Sequence, residues 1–153
     1  MAPLLILITV SLGLLAAGRF GVRALRDPTT AVRGGLAAMF TVTGVAHFVG
    51  MRAEMIAMVP PALPAPAALV TLTGVLELLG VVGLLWSRRT AQWTALGLTF
   101  LLVAMFPANV HAALAHQSTA FEDRLVPRTL MQLVFLAATI GVAVRTRRTT
   151  LVA

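Results

Sequence analysis

Apolar residues fall into five long runs separated by short breaks that carry most of the arginines. Residues 2–18 hold no charge, and residues 33–50 hold only His47 as a strongly polar group after Arg33. Residues 67–87 contain a single acid, Glu77; residues 91–115 enclose Pro107, Asn109 and His111; residues 127–145 open on Pro127 and Arg128 and include Gln132. Each run is near the ~20 residues that a helix needs to cross a hydrocarbon core of about 30 Å. Backbone polar groups in lipid must be satisfied within their own segment, so each run predicts a helix. The expected fold is all-α: one integral membrane domain over residues 1–153, built as a transmembrane helical bundle. The first run resembles a signal peptide, but it lacks a positive leading region and stays apolar as far as Arg19, which predicts a retained helix.

The breaks set an orientation. The 19–33 connection carries Arg19, Arg23, Arg26 and Arg33, the 87–91 connection carries Arg88 and Arg89, and the C-terminus carries Arg145, Arg147 and Arg148. The other two connections hold only Arg52, Arg124 and Arg128, alongside Glu54, Glu122 and Asp123. The positive-inside rule therefore predicts a multi-pass protein of the cell membrane, with the N-terminus outside and the C-terminus cytoplasmic. Trp86 and Trp93 flank the 87–91 turn as interfacial anchors would. The outer connection at 59–66 has prolines at 60, 61, 64 and 66, which predicts a stiff, extended, polyproline-like connector or lid.

Composition narrows the class. The chain is 59% apolar and 11% charged, with a mean hydropathy of +0.94. Disorder is excluded by that hydrophobicity, and soluble domains are only about 45–50% apolar. The net charge of +7 comes from residues that punctuate the apolar runs, so it predicts a lipid partner and no nucleic-acid partner. The absence of cysteine rules out disulfides, thiolate metal sites and a CxxC redox relay.

Ionisable groups within membrane spans are costly and mark pathways or structural pairs. Here the candidate ligand-binding set is His47, Glu77, Asn109, His111, Arg128 and Gln132. Counting along the spans at ~1.5 Å per residue puts five of them in the outer half, with Glu77 as a floor near the midplane. Arg128, Gln132 and Phe135 share one helix stripe, whereas Asn109 and His111 diverge by roughly 200° and should not share a partner. Thr73 and Gly74 are expected to place a hydroxyl and open space beside Glu77. Each of the six also has a structural reading, as interhelical hydrogen-bonding residue or helix anchor. No EXXH or HEXXH pair, dinucleotide fingerprint or P-loop is present, so no metal site, nucleotide site or autonomous redox centre is expected.

The segments Gly44-Val45-Ala46-His47-Phe48, Met58-Val59-Pro60-Pro61-Ala62-Leu63-Pro64, Thr73-Gly74-Val75-Leu76-Glu77, Phe106-Pro107-Ala108-Asn109-Val110-His111 and Arg128-Thr129-Leu130-Met131-Gln132 occur in an order and spacing that resembles the DoxX/DoxX-like family of small membrane proteins, over residues 33–145. The resemblance implies a four-helix core to which the first span is an N-terminal addition. It also implies a link to quinone-dependent oxidation and to oxidoreductase complexes, or to receptor-assembly chaperones. The functional expectation is an accessory subunit of a membrane oxidoreductase system. It would hold no tightly bound cofactor but would take a quinone or similar amphipathic ligand in an outward-opening cavity. Arg128, His47 or His111 would bond a ligand carbonyl, with Glu77 as the protonatable group beneath. The alternative is a non-enzymatic assembly factor or chaperone. Oxidoreductase subunits or a second copy of the chain are the expected protein partners.

Overall fold

The computed structural model describes residues 2–115, 121 and 124–151, and among these it is entirely helical. The elements are α1 (Ala2–Arg19), a 3₁₀ turn (Arg23–Leu25), α2 (Pro28–Ala46), α3 (Arg52–Met58), α4 (Pro66–Trp86), α5 (Arg88–Leu114) and α6 (Leu125–Leu151). Glu122 and Asp123 lie outside the described residues. The five long helices correspond to the five apolar runs. Four of them, α1, α4, α5 and the Leu125–Arg147 part of α6, are long and apolar enough to cross a membrane. The exception, α2, interleaves Gly and Thr with its apolar residues. It has helices α1, α4 and α6 against it, so its surface is matched to protein more than to lipid.

Three boundaries differ from the sequence reading, each for a local reason. The second helix starts at Pro28, not at residue 33, because Asp27 caps it: Oδ1 accepts from the Thr29 N–H at 3.0 Å and Oδ2 from the Thr30 hydroxyl at 3.2 Å. The 87–91 connection contracts to Ser87 alone, whose capping box with Thr90 starts α5 at once and puts Arg88 and Arg89 in its first turn. The 59–66 connector is not extended. Leu63 N–H donates to the Pro60 carbonyl at 3.0 Å, a turn with Pro61 at the position where its fixed φ helps most, and Ala65 at φ 50° leads into α4.

The Asp27 cap gives a first prediction. Partial burial pushes this carboxyl up, but the hydrogen bonds from Thr29 and Thr30, with Arg88 nearby, outweigh it and hold the group below its ordinary value. Its contribution is therefore complete above pH ~4, the unfolded value, and is lost as pH falls through the lower folded value. Asp27→Ala should cost about 1 kcal/mol at neutral pH. The melting temperature in detergent should fall by a few degrees, and the gap from the parent should narrow in acid.

The ring closes on itself: α2 packs on α4, α4 on α5, α5 on α6, and α6 returns to α2, while α1 lies against the outside of α2. Ring neighbours are antiparallel, as Arg33 meeting Leu84 and Thr43 meeting Glu77 show for α2 and α4. Leu36, Met39, Phe40, Leu84, Leu98 and Val142 fill the half of the ring that holds the start of α2. Lipid is as apolar as these side chains, so close packing rather than exclusion from water holds them. The six candidate residues lie from the middle of the ring into the other half, towards the C-terminal end of α2.

Candidate functional site

The α2–α4 seam carries the most buried polar residues of the set. His47 closes α2 and Glu77 lies mid-way along α4, and each is 3% exposed. Glycines on both helices allow the approach: a Cβ at Gly74 would stand 2.6 Å from the His47 Cβ, and one at Gly44 would stand 3.3 Å from the Glu77 Cβ. Thr43 links the two. Its hydroxyl donates to Glu77 Oε2 at 2.6 Å, and its carbonyl accepts from His47 Nδ1 at 2.8 Å. Arg52 covers this end, donating to the His47 carbonyl at 3.0 Å and to the Thr71 hydroxyl at 2.9 Å.

The bond from His47 decides its chemistry. A carbonyl only accepts, so Nδ1 carries the proton and the neutral ring presents Nε2 as an acceptor. His111 is held the same way, with Nδ1 donating to the Met58 carbonyl at 3.0 Å. With Nδ1 so engaged, each ring has Nε2 left for a ligand: as an acceptor when the ring is neutral, and as a donor to a carbonyl only when the ring is protonated. The expectation for Thr73 is corrected. Its hydroxyl bonds the Leu69 and Val70 carbonyls of its own helix, and His47 fills the space at Gly74, so the hydroxyl beside Glu77 comes from Thr43.

A second group spans α5 and α6. Arg128 Nη1 donates to Asn109 Oδ1 at 2.8 Å, and buried Gln132 donates to the Leu102 carbonyl at 2.7 Å. Leu102 adjoins Val103, whose carbonyl loses its helical donor because Pro107 has no N–H, so Gln132 reinforces the helix where its ladder is interrupted. Arg128 and Gln132 both face α5, as their common stripe required. Asn109 and His111 take different partners, on α6 and at the end of α3, as their divergence required.

The six residues thus share one half of the bundle but form three separate groups. Glu77 bonds Thr43 alone among the described residues, and no ion pair ties it to Arg128. Two surface grooves lie elsewhere. One of about 240 Å³ runs between α2 and α6 past Pro28, Val32 and Ala138; one of about 310 Å³ runs between α4 and α5 past Leu76, Gly80, Gly97 and Leu101. None of the six residues lines either. Among the described residues no three His, Asp or Glu side chains gather as a metal site would require. Sequence reasoning missed Thr43 and Arg52. The signal for Thr43 was its place one helical turn before His47.

A family described as Domain of unknown function (DUF8561) matches residues 36–147, from within α2 to near the end of α6. No curated protein and no solved structure matches the chain.

Proposed function

This chain belongs to the DUF8561 family, and we propose that it is a membrane-embedded accessory subunit of an oxidoreductase system, binding a quinone or similar amphipathic ligand at the His47–Glu77 seam. The observation that carries the reading is unused hydrogen-bonding capacity within a 3%-exposed pair. Among the described residues Glu77 Oε1 and His47 Nε2 have no partner, yet neither is sealed from the molecular surface. Groups of this kind in an apolar bundle suit a ligand with an apolar body and one or two polar atoms. The DoxX-like segments support the same ligand class. An N-terminus outside would set the His47 end of the seam at the outer leaflet.

The test is native mass spectrometry of the protein extracted in mild detergent from its own membrane. A retained mass matching a quinone, lost in Glu77→Gln and in His47→Ala, is the expected result. Retention at parent level in both variants overturns the site. One observation favours a second reading, an assembly factor. The α4–α5 groove is apolar, and Gly80 and Gly97 border it, as a seat for another transmembrane helix would be. A retained protein partner with no small ligand would select it.

A further inference from the structure

The proton placement at His47 restricts what the seam can hold. Nδ1 is committed to the Thr43 carbonyl, and the same residue's hydroxyl is committed to Glu77 Oε2. Thr43 therefore fixes the tautomer of the neutral His47 ring and occupies one oxygen of Glu77, leaving Oε1 to the ligand. His47 cannot rotate its ring to exchange nitrogens without abandoning that carbonyl. Its Cβ is also held against the backbone of α4 at Gly74, where even one added carbon would stand 2.6 Å away. In the neutral ring the remaining nitrogen is a lone pair, in a residue only 3% exposed, and it has no donor among the described residues. A ligand carbonyl set against it would bring two acceptors together, whereas a ligand hydroxyl would complete it. Leaving a buried polar group unmatched is what makes sites of this kind discriminate strongly between an O–H and its absence.

We infer that the seam selects a hydroxyl-bearing amphipathic ligand, of the phenol or quinol class, whose O–H donates to His47 Nε2. A quinone therefore binds more weakly than its two-electron-reduced form. The inference rests on the ligand-binding reading above and refines it. It concerns equilibrium binding only. His111, with the same polarity but only half-buried and on a different seam, is not part of the contact.

The test is equilibrium binding to the purified full chain in nanodiscs, under anaerobic conditions, with three probes: a short-chain benzoquinol, the matching benzoquinone, and the dimethyl ether of the same quinol. The ether keeps ring and tail but has no O–H, so the comparison needs no variant to fold. The quinol is expected to bind about tenfold more tightly than either of the others, the value of one matched buried hydrogen bond. In His47→Gln, whose amide both donates and accepts, that preference is expected to fall to about twofold or less. If all three probes bind alike, or the quinone binds best, the ligand class is overturned while the ligand-binding reading stands. Binding of none of them overturns both. A quinol preference that survives unchanged in His47→Gln overturns the role of His47.

Discussion

Gly74→Val is expected to dismantle the His47–Glu77 seam and to lower the melting temperature in detergent by roughly 5–10 °C, the equivalent of about 2–4 kcal/mol for a chain of this size. A carbon at position 74 would stand 2.6 Å from the His47 Cβ, 2.9 Å from Phe48 Cε2 and 3.0 Å from His47 Cγ. The first of these atoms is the root of a side chain, so it moves only if the end of α2 moves. Overpacking of this kind costs about 1–3 kcal/mol. Because Thr43 lies one turn back along α2, the same displacement pulls its hydroxyl off Glu77 and adds the loss of a buried hydrogen bond, about 1 kcal/mol. Ligand retention should fall with stability. Gly97→Ala is the matched control, since nothing stands within 4 Å of a Cβ there. It should melt at the parent temperature or slightly above, because alanine is the better helix former. Equal melting of the parent and Gly74→Val would mean that α2 and α4 do not meet closely at this point.

The helices were legible in the sequence because each apolar run is as long as a membrane is thick, a coarse signal that survives errors of several residues. Their ends were less so. The arginine at position 33 suggests a boundary for the second span, whereas Asp27-Pro28, an ordinary helix start, decides it five residues earlier. The polar half of the bundle was also legible, since depth follows from counting along antiparallel spans. The pairing within it was not. Depth puts Glu77 near the midplane and His47 nearer the outer end, and gives no sign that Thr43 stands between them, because a threonine in an apolar run usually bonds its own helix, as Thr41 and Thr73 do here. The direction of the His47 bond depends on which ring nitrogen meets a carbonyl, and no pattern of residue types encodes that.

Arg33 shows the same gap from the other side. In sequence it is one more basic residue on the positive-inside side; in the fold its Nε and Nη2 both donate to the Leu84 carbonyl, at 3.1 and 2.6 Å. Leu84 is fully buried and lies in the last turn of α4, where carbonyls lack helical donors. Arg33→Ala is therefore expected to cost about 3 kcal/mol, combining a charge-assisted bond with a buried carbonyl left unmatched, and to lower the melting temperature by roughly 6–12 °C. Arg33→Lys should recover only part of this, because a single ammonium does not reproduce the two-pronged guanidinium. Orientation should not change in either variant, since Arg19, Arg23 and Arg26 remain on the same connection. Accessibility mapping of an engineered N-terminal cysteine should confirm this. If Arg33 were only an orientation signal, melting would be unaffected. The Arg33 clamp and the Thr43–Glu77 contact hold the same antiparallel pair at points ten residues apart on α2, about 15 Å. At that separation the two should act independently. Gly74→Val combined with Arg33→Ala should destabilise by the sum of the single effects to within about 0.5 kcal/mol. A sum that falls well short would mean that α2 and α4 part as one unit, so that the apolar packing between the clamps does not hold the pair once either is lost.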